Sequence, residues 1–103
     1  NNRMELTAVI EALQLLKEPC EVNLYSDSKY VCDGLSKGWA IGWKKRGWKK
    51  GDGKPALNPE LWDRLLHYND IHKINVHWLK GHNGHPKNER CDTMAVEAIK
   101  KIN

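Results

Sequence analysis

The chain has 103 residues, which allows one small domain with a limited core. Its hydrophobic fraction of 40% is typical of a globular chain and argues against a disordered one. The formal net charge of +4 suits a polyanionic partner, although so small an excess is weak support by itself. No apolar run approaches the roughly 20 residues of a membrane span, and no secretory signal is visible. We therefore expect no membrane contact.

The three cysteines, Cys20, Cys32 and Cys91, are widely spaced and form no CxxC pair. This pattern favours reduced thiols in a cytoplasmic protein.

Apolar residues at helical spacing predict an amphipathic helix over residues 2–17, which Pro19 ends. Residues 21–26 alternate in polarity and predict a strand. Asp27 and Ser28 then cap a short helix that runs to about residue 36. Asn58 as N-cap and Pro59 as first helical residue predict a helix over about 59–68.

The C-terminal third begins with an alternating strand at 74–78, followed by a loop at 80–87 that contains glycines and histidines. A final helix is predicted from residue 88, with Cys91, Ala95, Ala98 and Ile102 on one side. The fold class is α/β, with two parallel strands joined by a helical crossover. Two strands make a poor sheet, so we expect further strands from upstream on the chain or from a partner.

Three carboxylates, Glu5, Asp27 and Asp92, stand at the starts of predicted elements. If those ends converge, the acids repel one another, and a hard divalent cation such as Mg²⁺ would remove the repulsion. Two such ions can activate water and stabilise the leaving oxygen of a phosphodiester. The alternatives are helix capping by Asp27 and favourable helix-dipole interactions of Glu5 and Asp92.

The loop at 80–87 leads into the segment that carries Asp92, and its His82 could relay protons near neutral pH. The alternatives are surface histidines or a zinc site built from His82, His85 and Cys91, for which no fourth ligand is evident. The remaining histidines have no such context and stay unassigned.

A basic stretch from Lys37 to Lys54 interleaves cations with three tryptophans, Trp39, Trp43 and Trp48. Cations bind phosphates and indoles pack against sugars or bases, so the stretch predicts nucleic-acid binding. We expect at least one of these tryptophans to pack against the domain instead. The cations are Lys37, Lys44, Lys45, Arg46, Lys49, Lys50 and Lys54.

Four segments in order closely resemble bacterial type 1 ribonuclease H: NNRMEL at 1–6, YSDSKYV at 25–31, GWKKRGW at 42–48 and KGHNGHPKNERCD at 80–92. The resemblance covers essentially the whole chain. It implies a ribonuclease H-like mixed sheet flanked by helices, in one partial domain over 1–103 with a basic protrusion at about 38–54. Only two strands and about five helices would remain of that fold.

The resemblance also implies a function, which is Mg²⁺-dependent hydrolysis of the RNA strand of RNA–DNA hybrids that leaves 5′-phosphate and 3′-hydroxyl ends. Mn²⁺ is the alternative ion. Glu5, Asp27 and Asp92 would bind metal and act in catalysis, and His82 would assist proton transfer and product release. Asn2 would contact RNA 2′-hydroxyls, which distinguish RNA from DNA. The implied substrate-binding residues are Asn1, Asn2, Lys29, Trp39, Trp43, Lys44, Lys45, Arg46, Trp48 and Lys49.

The sequence departs from the family at one place. The family begins with three antiparallel strands, and the first carries an Asp-Gly-Ser motif whose Asp bridges both metals, but this sequence has no such motif. We therefore expect a monomer when complete and activity that depends on a complementary N-terminal segment. The alternatives are a catalytically inactive nucleic-acid-binding module and a truncated remnant.

Overall fold

The computed structural model describes residues 2–79 and 94–102, which form a mixed sheet with helices packed against it. The elements in chain order are α1 (Asn2–Gln14), β1 (Cys20–Ser26), α2 (Lys29–Ser36), α3 (Trp39–Lys45), α4 (Pro59–Ile71), β2 (Lys73–Trp78) and β3 (Met94–Lys101). The α/β class is confirmed. No helix within the described ranges is both long enough and apolar enough to cross a bilayer.

The sheet has the order β2-β1-β3, so β1 is central. β1 and β2 are parallel neighbours joined through the helices, as predicted, and Ser26 is the register partner of Trp78 at the carboxyl end. β3 is antiparallel to β1, with Met94 opposite Ser26 and an irregularity between Glu21 and Val22.

The prediction of a helix from residue 88 onward is wrong over residues 94–101, which form β3. Alanine, glutamate and lysine favour a helix locally, but a β1 edge without a partner would leave a row of backbone groups unpaired. Met94 and Val96 alternate with the more exposed Ala95 and Glu97, so the segment also fits the period of a strand. The described residues thus contain three strands and four helices, in place of two and about five.

The core lies between one face of β1 and the helices. Every second residue of β1 is buried, including Val22 and Leu24, because strand side chains alternate between faces. Helix α1 covers this face with an apolar stripe, and α4 packs against α1. The buried residues of the two helices are Leu6, Val9, Ile10, Leu13, Leu61, Trp62, Leu65 and Leu66.

Trp62 of α4 is the largest fully buried side chain. Its indole Nε1 donates a hydrogen bond to the Tyr30 hydroxyl at 2.8 Å, and its ring lies edge-on to Trp43 at 5.8 Å between centroids. Gly34 of α2 leaves room for this indole, because a Cβ atom there would lie 2.7 Å from Cζ2 of Trp62.

Replacing Gly34 with alanine should therefore destabilise the protein, although alanine is the better helix former by about 1 kcal/mol. Forced overlap in a packed core costs about 1–3 kcal/mol, and the rigid indole cannot rotate away as a flexible side chain could. Urea unfolding would measure the change. Gly51→Ala is the matched control, since no atom lies within 4 Å of the added methyl group. Equal stability of the two variants would contradict this packing.

The side chain of His72, at the end of α4, forms a hydrogen bond to the start of β1. Its buried ring accepts a hydrogen bond at Nδ1 from the Cys20 amide at 3.0 Å, which requires that nitrogen to be unprotonated. Burial lowers the pKa of His72 below its ordinary value because the charged ring would lose solvation.

The contribution of His72 to stability should therefore be complete above the unfolded pKa of about 6.5 and should decline as pH falls from there towards the lower folded pKa. Urea midpoints at pH 8 and pH 5 would measure the decline. It should shrink in His72→Gln, which cannot titrate, and persist in His67→Gln on the exposed face of α4. An unchanged decline in His72→Gln would refute the assignment.

Candidate active site and nucleic-acid interface

Asp27 lies in the turn that joins β1 to α2, at the carboxyl end of the central strand. The Ser28 amide donates to the buried Ser26 hydroxyl at 3.0 Å, and the Val31 amide donates to the Ser28 hydroxyl at 3.2 Å. These two bonds fix the backbone on both sides of Asp27. In open α/β sheets ligands bind beyond the carboxyl ends of strands, which is where this side chain lies.

The helix-capping alternative is wrong for Asp27, because Ser28 is the N-cap of α2 and supplies the capping oxygen. The Asp27 side chain is exposed, and among residues 2–79 and 94–102 it makes no hydrogen bond or ion pair. By contrast, Asp33 in the same helix forms ion pairs with Lys29 and Lys37. Asp27 therefore keeps its carboxylate oxygens available for a ligand.

Glu5 lies in the first turn of α1 and is half-buried. Burial raises the pKa of the Cys32 thiol above its ordinary value, and the charge of Asp33 adds to that rise. Asp27 and Glu5 raise the same pKa further, so both carboxylates lie near Cys32. The structure thus brings two of the three predicted acids to one region. Asp92 and His82 lie outside the described residues.

The donor chemistry of Glu5 and Asp27 fits a hard divalent cation, which prefers carboxylate oxygens. Within the described ranges, no group of three or more His, Cys, Asp or Glu side chains could hold an ion. By their chemistry alone, these two acids could supply only part of the coordination shell of such a cation. The predicted zinc alternative at His82, His85 and Cys91 also falls outside the described residues.

The basic stretch folds as helix α3 followed by a turn. Trp43 and Trp48 are half-buried against the core, as we expected for at least one tryptophan, whereas Trp39 is 46% exposed. A surface groove runs along this segment between indole and cationic side chains. It is lined by Gly38, Trp39, Gly42, Trp43, Arg46, Lys50 and Gly51.

The cations of this stretch are not equivalent. Lys44 is paired with Asp63 of α4 at 2.7 Å, and this hydrogen-bonded contact raises the pKa of Lys44. Lys45 and Lys49 are exposed, and neither forms an ion pair with the part of the chain that the structure describes. The Nε atom of Arg46 donates to the Lys49 carbonyl at 3.2 Å, which leaves its outer guanidinium nitrogens available.

Two predicted substrate-binding residues lie apart from this stretch. Asn2 is exposed at the start of α1, and Asn1 lies outside the described residues. Lys29 begins α2, and its ammonium lies 4.7 Å from the ring centroid of Trp78. Sequence reasoning left Trp78 unassigned. The sequence signal for it is its place at the end of a predicted strand, and the register pairs it with Ser26, the residue before Asp27.

Comparison with known proteins shows the family of the chain. The sequence profile of the RNase H family matches residues 1–100. The chain is 57% identical to ribonuclease H of Nitratidesulfovibrio vulgaris over 92% of its length, and 54% identical to that of Desulforamulus reducens over 100%. It is 59% identical to ribonuclease H of Rhizobium etli over 98%.

The chain belongs to the RNase H family. The family match includes the segment with His82 and Asp92 as well as the described residues Glu5 and Asp27. The chain spans 61% of the N. vulgaris ribonuclease H and 65% of the D. reducens ribonuclease H.

Proposed function

We propose that this chain forms the hybrid-binding and part of the metal-binding region of an endoribonuclease. The enzyme hydrolyses the RNA strand of RNA–DNA hybrids with two metal ions and leaves 5′-phosphate and 3′-hydroxyl ends. The observation that carries the proposal is the exposed carboxylate of Asp27, which has no hydrogen bond or ion pair within the described residues and lies on a turn fixed by two serine hydrogen bonds. Membership of the RNase H family supports it.

When bound, Mg²⁺, or Mn²⁺ as the alternative, supplies an acidified water and neutralises charge on the leaving oxygen. Glu5 and Asp27 would hold the ions through their carboxylate oxygens, and Asp92 would add a third carboxylate. The serine bonds around Asp27 keep its position constant, which matters because a displaced ligand lowers metal affinity. The protein's contribution is therefore a preorganised set of negative charges.

His82 would move a proton near the cleaved phosphate and assist product release, since histidine changes charge near neutral pH. Asn1 and Asn2 would contact the hybrid at the start of α1, with Asn2 at RNA 2′-hydroxyls. A 2′-hydroxyl both donates and accepts hydrogen bonds, as an amide side chain does. This contact would distinguish the RNA strand from DNA.

The groove along α3 would bind the DNA strand of the hybrid. Exposed cations next to a half-buried indole surface suit a sugar–phosphate backbone without base readout. The family resemblance assigns Lys44, Lys45, Arg46 and Lys49 to this role. Because Asp63 already pairs with Lys44, we infer that Lys45 and Arg46 contribute more to phosphate binding.

The chain spans less than two thirds of these two relatives, and we propose that activity needs a complementary segment that supplies the remaining metal ligand. We propose that the complete protein is a monomer in the cytoplasm. The two described cysteines, Cys20 and Cys32, are buried and unbonded, which fits a reducing compartment.

A second candidate is a nucleic-acid-binding module without catalytic activity. It is favoured by the described residues alone, because they contain the groove and its cations but no cluster of three metal-capable side chains. Hybrid binding without Mg²⁺-dependent cleavage would support this candidate over the first.

Asp27→Asn should abolish cleavage and spare hybrid binding. The amide keeps the shape of the side chain but removes the charge that holds a cation, and loss of one preorganised charge costs about a hundredfold or more in rate. Cleavage of an end-labelled hybrid in Mg²⁺ and binding in EDTA would measure the two effects. Glu11→Gln is the matched control for cleavage, since it removes one carboxylate charge from the exposed face of α1, away from the candidate site. Retained turnover in Asp27→Asn would refute the metal role.

Replacing Lys44, Lys45 and Arg46 together with alanine should flatten the salt dependence of hybrid binding. Each lost phosphate contact lowers the slope of log K against log salt by about 0.7–0.9, so a reduction of about two is expected. Titrations at several salt concentrations would measure it. The matched control replaces Lys73, Lys100 and Lys101 with alanine. These substitutions remove the same total charge at the opposite end of β1. Equal slopes in the two triple variants would argue against the groove.

A further inference from the structure

Two exposed cation–indole pairs flank one carboxylate of α2. Lys29 Nζ lies 4.7 Å from the ring centroid of Trp78, and Lys37 Nζ lies 5.3 Å from that of Trp39. Both ammonium groups also contact Asp33, Lys29 at 3.0 Å from Oδ2 and Lys37 at 3.8 Å from Oδ1. We call this set of five residues the Asp33 strip.

The ends of the strip connect two regions already described. Trp78 is the register partner of Ser26, the residue before Asp27, so one end adjoins the candidate active site. Trp39 begins α3 and lines its groove, so the other end adjoins the basic stretch. The strip therefore lies on the surface between the carboxylates and the groove.

Exposure and burial divide the strip into two parts. The side chains of Lys29 and Lys37 are 58% and 54% exposed, whereas that of Asp33 is 13% exposed. Trp78 and Trp39 are 44% and 46% exposed. The cations and indoles are thus accessible to a ligand, while the acid lies beneath them.

The net charge of the strip is +1, from two lysines and one aspartate, so it still attracts phosphate. A lysine held between a carboxylate and an indole has already lost part of its rotamer freedom, which lowers the entropy cost of ordering it on a ligand. An indole beside the ammonium supplies an apolar surface for a sugar or a base. Phosphate and sugar alternate along a nucleic-acid strand, and each end of this strip offers a cation beside an indole.

We propose that the Asp27 end of the Asp33 strip, formed by Trp78 and Lys29, binds the backbone of the strand that is cleaved, while Trp39 at the other end borders the groove. In this arrangement Trp78 is a binding residue, and Asp33 is a positioning residue that acts through Lys29 and Lys37. The inference rests on the proposed function, since it takes the strand beside Asp27 to be the RNA strand.

The first test compares Trp78→Leu with Trp78→Phe by measuring the Kd of a labelled RNA–DNA hybrid in EDTA, where metal-dependent cleavage cannot occur. Trp78→Leu should weaken binding about fivefold, as expected for loss of one contact of about 1 kcal/mol between the nucleic acid and an indole. Trp78→Phe should restore most of that loss, because phenylalanine keeps an aromatic face. Leu57→Ala, at a side chain that is 66% exposed and outside the strip, should bind as the unmodified chain does.

The second test asks whether Asp33 acts through the indole. Asp33→Asn adds one positive charge, so charge alone would strengthen binding; Glu11→Gln, on the exposed face of α1, measures that charge effect by itself. The effect of Asp33→Asn on Kd should differ at least about threefold between the unmodified and Trp78→Leu backgrounds, because groups acting as one unit are not additive. Additive effects that match Glu11→Gln would refute the positioning role.

The outcomes separate this inference from the proposed function. If Trp78→Leu binds the hybrid normally while the Lys44, Lys45 and Arg46 variant binds weakly, the strip is wrong and hybrid binding stands. If the unmodified chain does not bind the hybrid, both are wrong. Thermal unfolding of every variant identifies loss of affinity that comes from loss of the fold, and Trp78→Phe then decides the role of the indole.

Discussion

The placement of β1 is the constraint on which the rest of the structure depends. Its alternate side chains fill the core. A shift of the strand register by one residue would move Val22 and Leu24 out of the core, so that shift is strongly disfavoured. This burial fixes which residue ends the strand. Ser26 is fully buried at that end, and Asp27 is the first residue beyond it. The candidate active site is therefore positioned by the core and not by local flexibility of a loop.

Local sequence predicted most of the fold because most elements bury one regular face. Helices α1 and α4 and strands β1 and β2 have clear periods in the sequence, and the start of α2 is predicted at Asp27 and Ser28. β3 could not be predicted in this way, because its residues favour a helix locally and its partner is far away in sequence. Asn58 shows the same limit. It occupies the N-cap position of α4, yet its side chain bonds to Tyr30 and Arg3 and does not cap the helix.

The sequence predicted which types of residue form the candidate site. It did not predict which of their charged groups are exposed and which are paired within the protein. Sequence placed acids at element starts, yet only the structure shows that Ser28 caps α2 and leaves Asp27 exposed. In the same way, the basic stretch was evident, but its charges are unequal because Asp63 pairs with Lys44 from another helix. Such pairing depends on contacts between residues distant in the chain. No local pattern of charge reveals it.

Asp27 and Asp33 are six residues apart, yet the structure gives their carboxylates different surroundings. Asp33 is buried beneath two lysines, and a buried carboxylate is stable only with such partners, so its charge is used within the protein. Asp27 is exposed, and within residues 2–79 and 94–102 its carboxylate forms no hydrogen bond or ion pair. One acid thus organises lysines of its own chain, whereas the other stands at the end of the central strand, where carboxylate oxygens can meet a cation from solution.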